Sequence, residues 1–85
     1  MQYNKNKLLK TLAKVTRKYR AQKSISQLSN EIGLSKSIWS ELEKGHKDIQ
    51  LTTFWRIAEA FEIKPSELLK EMEKELGSSF SFLES

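Results

Sequence analysis

The apolar positions of this 85-residue chain recur at helical spacing over most of its length. Leu8, Leu12, Val15 and Tyr19 follow at steps of four, three and four, with Leu9 beside them. That stripe predicts an amphipathic helix over residues 6–22, after a frayed start at 1–6. Ile25, Leu28 and Ile32 mark a second helix, 25–32. Ser24 is a good N-cap, and Gln27 three residues on completes a capping box. Gly33 stops that helix, because glycine takes the left-handed conformation without steric cost. Leu34 plugs the turn. Ser35 caps a third helix, 36–44, with Ile38, Trp39 and Leu42 on its apolar face and Gly45 at its end. Leu51, Phe54, Ile57, Ala58 and Phe61 form the inward stripe of a fourth, 52–61. Trp55 falls one residue off that stripe, which suits partial exposure or an interface. Pro65 opens a fifth helix, 65–76, through Leu68, Leu69, Met72 and Leu76 to a stop at Gly77. β-Branched residues alternate nowhere, so the expected class is all-α, a five-helix bundle.

The core predicted from this periodicity is Leu12, Val15, Leu28, Ile32, Trp39, Leu42, Ile57, Ala58, Phe61 and Leu68. Trp39 is assigned to it because an indole buries a large area in a small domain. Helix, glycine-containing turn and helix over 24–45 is the helix-turn-helix arrangement. The polar face of its second helix carries Lys36, Ser37, Ser40 and Glu41, the candidates for base contact in a major groove. Lys36 can donate to guanine O6 or N7, Ser37 to several base edges, and Glu41 can accept from cytosine N4. A carboxylate there is repelled by phosphates unless it is paired. The plain alternative for each is an exposed polar residue. Lys44, His46 and Lys47 lie in the loop that follows, where side chains and free backbone N–H groups can hold a phosphate. Thr52 and Thr53 start the fourth helix, where an anion is favoured, and capping explains them as well. Gln27 and Ser35, at the starts of the second and third helices, complete the candidate phosphate contacts.

Three runs then resemble a known family. Leu28-Ser29-Asn30-Glu31-Ile32-Gly33-Leu34-Ser35 is similar to its "LAxxhGhS" run, where h is apolar. Trp39-Ser40-Glu41-Leu42-Glu43-Lys44-Gly45 is similar to "hSxhExG". Leu51 to Leu69, with Arg56-Ile57-Ala58-Glu59-Ala60-Phe61 inside it, resembles "LxxLxxIAxALxhxxxxL". The chain thus resembles the lambda-repressor-like, Cro/XRE helix-turn-helix family over residues 24–69. It departs from that pattern at Ile25, usually Gln and a phosphate contact. Other departures are Ser29, usually Ala; Ile49, often Pro; and Glu62, usually Gly. The resemblance implies a sequence-specific double-stranded DNA binder, a repressor-type regulator acting as a homodimer on a palindromic operator. It also implies a structural role for Glu43, facing away from the groove. Size further suggests the short controller proteins of restriction–modification systems. An antitoxin of the same fold, binding a toxin protein and its own operator, is the competing expectation. A bundle whose DNA-reading surface has fallen out of use is the bland one.

Charge sharpens the picture. Residues 1–23 hold eight Lys or Arg and no acid, residues 24–47 balance to zero, and residues 48–85 sum to −4. A basic end suggests a polyanion. The first helix either contacts phosphates, best near Arg17 to Lys23, or is merely solvated. A membrane surface fits less well, because its apolar stripe is needed to close the bundle. The fifth helix is acidic outside at Glu67, Glu71, Glu73 and Glu75, and is expected to stay off the DNA and to meet the basic first helix of a second subunit. Its Leu69, Met72 and Leu76 extend past a four-helix core and suggest the homodimer interface, with Trp55 and the Phe80, Phe82 and Leu83 tail.

The length means one domain: residues 1–77, with 78–85 as a short C-terminal tail. There is no cysteine, which excludes disulfides and thiol chemistry. A lone His46 makes no metal site, and no nucleophile–base–orienter set supports catalysis. No cofactor is expected. Without a membrane span or signal-peptide core, the expected compartment is the cytoplasm.

Overall fold

The computed structural model describes residues 2–21 and 23–82. Five helices follow in order: α1 Gln2–Arg20, α2 Ile25–Ile32, α3 Lys36–Glu43, α4 Leu51–Ala60 and α5 Pro65–Leu76. The described residues hold no strand, and the fold is the expected all-α bundle. None of these helices is long and apolar enough to cross a membrane. α1 packs on α3 and on α5, α2 packs on α3 and α4, and α4 closes on α5.

Local signals set most boundaries. Pro65 is the first residue of α5, and the Lys64 N–H donates to Glu67 Oε1 at 3.1 Å. α1 differs most, beginning at Gln2 rather than near residue 6. Its leading turns are held by the other end of the chain. Asn4 Nδ2 donates to the Ser81 carbonyl at 2.8 Å, and the Lys7 ammonium stands 5.8 Å from the centre of the Phe80 ring. Phe80 and Phe82 meet edge to face at 5.6 Å. The tail through Phe82 therefore docks on its own α1, where the sequence suggested a disordered tail or one docked on a partner subunit. At its other end α1 stops at Arg20, and Ala21 turns the chain with φ 51°.

The core is close to that expected. Leu12, Val15, Leu28, Trp39, Leu42, Ile57, Ala58 and Leu68 are buried, joined by Leu9, Ala13, Leu34 and Phe54. Phe61 is half-buried against them, stacked on Tyr19 at 5.6 Å and edge-on to Trp39 at 6.3 Å. The side chains of Ile25 and Ile32, and all of Leu83, lie outside the described residues.

Three expectations are corrected. Leu51 is 72% exposed rather than inward, because it is the first residue of α4 and the buried face begins at Phe54. Met72 is only 5% exposed. It lines one groove with Leu8, Leu9 and Leu12, so α1 of the same chain covers what a four-helix core would leave bare. Leu69 beside it stays 48% exposed. The acidic side of α5 meets α1 of its own chain: Lys14 Nζ lies 2.6 Å from Glu75 Oε1 and Lys18 Nζ 3.8 Å from Glu71 Oε1. The Lys14 hydrogen bond and charge hold the Glu75 carboxyl below the usual carboxylate range.

Candidate nucleic-acid interface

The helix-turn-helix unit is built by short-range hydrogen bonds. Ser24 Oγ accepts from the Gln27 N–H at 3.0 Å, and Gln27 Oε1 accepts from the Ser24 N–H at 3.4 Å. This is the expected capping box, and it leaves the Gln27 amide N–H groups for other partners. Gly33 takes φ 69° and its N–H donates to the Ser29 carbonyl at 2.9 Å. A side chain there would sit in a disfavoured left-handed conformation. Leu34 is buried in the turn. Ser35 Oγ accepts from the Ile38 N–H at 3.2 Å, so its hydroxyl proton is still free to donate.

α3 then presents two faces. Trp39, Leu42 and Glu43 are buried. Lys36, Ser37 and Glu41 are exposed and Ser40 is half-buried. Helical spacing places these four on one side of the helix, away from the core. Glu41 is flanked by two basic side chains, with Lys44 Nζ at 3.7 Å and His46 Nδ1 at 4.0 Å. Those partners offset the repulsion a bare carboxylate would meet beside phosphates.

Glu43 points the other way and joins α1 to α3. Arg20 donates to both its carboxylate oxygens, Nη2 reaching Oε1 at 2.8 Å. The Trp39 indole N–H donates to Oε2 at 2.9 Å. Arg17 Nη1 donates to the Glu43 carbonyl at 3.1 Å, and Lys23 Nζ lies 3.2 Å from Glu31 Oε1. With Lys18 paired to Glu71, all four cations expected to meet phosphates near the end of α1 are thus engaged with the protein itself.

The α3–α4 loop also departs from expectation. The N–H groups of Lys44, Gly45 and His46 donate to the carbonyls of Ser40, Leu42 and Glu41. They close α3 rather than standing free, which leaves the side chains of Lys44, His46 and Lys47, all exposed, to face an anion. Thr52 and Thr53 are not caps: Gln50 is the N-cap, with no side-chain cap bond. They lie in the first turn of α4, whose N–H groups have no partner within the helix.

One close approach that the linear pattern does not show borders this loop. Gly45 has φ 81°, and a Cβ built on it would stand 2.9 Å from Lys10 Cγ and 3.3 Å from Lys10 Cα. The α1 backbone therefore lies directly against the loop at Lys10. The signal in the sequence was Gly45 itself, where only glycine allows so close an approach.

A search of curated proteins finds no match to this chain. The profile of a helix-turn-helix family matches residues 17–68, from the last turn of α1 to the start of α5. The segments outside the match are α1 up to residue 16 and the rest of α5 with its tail, which hold one another through Asn4–Ser81, Lys7–Phe80 and Lys14–Glu75. By that match, which takes in more than half its length, the chain belongs to the Cro/C1-type, XRE family of helix-turn-helix proteins.

Proposed function

We propose that this DNA-binding regulator recognises a specific operator in double-stranded DNA, with α3 in the major groove, and acts as a homodimeric repressor in the cytoplasm. The observation that carries the reading is the outward face of α3. Lys36, Ser37, Ser40 and Glu41 share it, while the opposite face is locked into the core by Trp39 and Leu42. Lys36 and Ser37 stand in its first turn, the end that usually points at base edges. Lys36 reads guanine, Ser37 and Ser40 adapt to several edges, and Glu41, held between Lys44 and His46, accepts from cytosine. Lys44, His46 and Lys47 grip phosphates through their side chains. Ser35, Gln27, Thr52 and Thr53 add hydroxyl, amide and helix-start donors.

A lone recognition helix reads only a few base pairs, so two copies are expected on a palindromic site, ~34 Å apart. The apolar side chains left in solvent support a second copy. Leu51, Trp55 and Leu69 are 72%, 52% and 48% exposed. Leu51 and Leu69 line one groove of about 290 Å³, and Trp55 lies one turn beyond Leu51 on α4. Selection of bound duplexes from a random library tests the reading. A palindromic consensus with half-sites one helical turn apart is expected. Recovery of no common sequence would reject it.

A further inference from the structure

We propose that Lys10, in the leading half of α1, is a further phosphate contact that extends the DNA footprint beyond the helix-turn-helix unit. The proposal rests on the DNA-binding reading above. It starts from how the cations of α1 are partnered. Lys5 pairs with Asp48 at 3.6 Å, Lys14 with Glu75 and Lys18 with Glu71. Lys7 lies over Phe80, and Arg17 and Arg20 are held on Glu43. Among the described residues Lys10 is the α1 cation with no such partner, and it is exposed.

Its position gives that charge a use. Contact with Gly45 sets Lys10 beside the loop that bears Lys44, His46 and Lys47. Two elements distant in sequence thus bring four basic side chains to one place. The same stretch of α1 also removes an obstacle. Asp48, the loop's own acid, is paired with Lys5, and Glu41 is met by Lys44, so the charges of Lys10 and Lys47 keep the cluster positive. On its other side Lys10 borders a shallow depression with Asn6, Lys7, Lys14 and Glu75, and Glu75 is neutralised by Lys14. A duplex backbone gripped by the loop would meet Lys10 next. Lys10 also falls outside the residues matched by the family profile, so the contact belongs to this chain's lengthened helix rather than to the shared unit.

The test is the salt dependence of binding to a random-sequence duplex, for the wild type and for Lys10→Gln, Lys10→Arg, Lys14→Gln and Lys47→Gln. Circular dichroism confirms the fold of each. Lys10→Met is a second neutral variant that keeps the stem over Gly45. Each phosphate contact adds about 0.9 to the slope of log affinity against log salt. Lys10→Gln and Lys10→Met are expected to lose about that much and to bind several-fold more weakly at 0.1 M salt, with Lys10→Arg close to wild type. Lys14→Gln should leave the slope unchanged. A normal slope for Lys10→Gln alongside a reduced one for Lys47→Gln would overturn this proposal and keep the DNA reading. An equal loss in Lys14→Gln would reduce the effect to net charge and also overturn it. A wild type that binds no duplex would overturn both.

Discussion

Arg20 and Glu43 are joined by two hydrogen bonds from one guanidinium to one carboxylate, across 23 residues of chain. The same carboxylate receives the indole N–H of the fully buried Trp39. One acidic residue therefore fixes the crossing of α1 and α3 and orients the largest side chain of the core. It also explains why Glu43, although charged and on α3, turns away from the exposed face proposed to meet DNA.

Removing one partner of a buried pair costs ~3–5 kcal/mol. The Arg20 side chain is 23% exposed, so the cost is discounted for solvent. Arg20→Ala is expected to lose about 2–3 kcal/mol, or ~10–20 °C in the thermal midpoint of a domain this size. Adding Glu43→Gln should cost less than the sum of the single changes, because both act on one network. Thermal unfolding of the two singles and the double checks it; strict additivity would deny the coupling.

Two departures from the family pattern carry strain. Ser29 stands where alanine is usual, and its hydroxyl oxygen is buried with no hydrogen-bond partner among the described residues. An unsatisfied buried group costs ~1–3 kcal/mol, so Ser29→Ala should stabilise by about 1 kcal/mol. Glu62 stands where glycine is usual and takes φ 61°. The left-handed conformation costs ~1–2 kcal/mol for an L-residue, partly offset by the freedom glycine loses on folding. Glu62→Gly should stabilise by up to about 1 kcal/mol, while Glu62→Val should destabilise. Denaturant midpoints read both, and a loss of stability in Ser29→Ala or Glu62→Gly would contradict the assignment.

Much of this was legible one helical turn at a time. The Ser24–Gln27 box, the Gly33 stop and the Pro65 start each depend on groups within four residues, and they formed as read. The burial of Leu42 followed from periodicity, and that of Trp39 from periodicity and the size of its indole. Met72 was misread because its cover comes from α1, and the start of α1 depends on an Asn4–Ser81 bond across 77 residues. No local pattern encodes such a contact. The same holds for Glu71 and Glu75, whose acidity was plain but whose partners on the same chain were not. The loop N–H groups were misjudged because α3 closes through them.

These corrections separate two substitutions on α5. Leu69→Glu places a charge on the exposed face and should shift a dimer to monomer with helical content nearly unchanged. Met72→Glu buries that charge in the core and should unfold much of the chain. Sedimentation with circular dichroism tells them apart. A wild type that runs as a ~10 kDa monomer at micromolar concentration and binds one copy per site would remove the dimer.

The Lys14–Glu75 pair gives a pH signature of definite sign. The folded-state pKa of Glu75 is lowered, chiefly by the Lys14 hydrogen bond. The native chain then binds fewer protons than the unfolded chain in the carboxylate range. Its contribution is present above the unfolded value of about 4.3 and is lost as pH falls through the folded value. Glu75→Gln should therefore be slightly less stable than wild type at neutral pH and match it in acid. A constant offset at all pH values would contradict this.

If the exposed face of α3 reads bases, Lys36 in its first turn is the side chain whose loss must show it. The measurement is the affinity of wild type and Lys36→Ala for a selected operator and for a random duplex at one salt concentration. A loss of ~1–3 kcal/mol is expected on the selected operator, confined to one base position, with a much smaller loss on random DNA. An equal loss on both duplexes would make Lys36 a phosphate contact and rule out base reading by it.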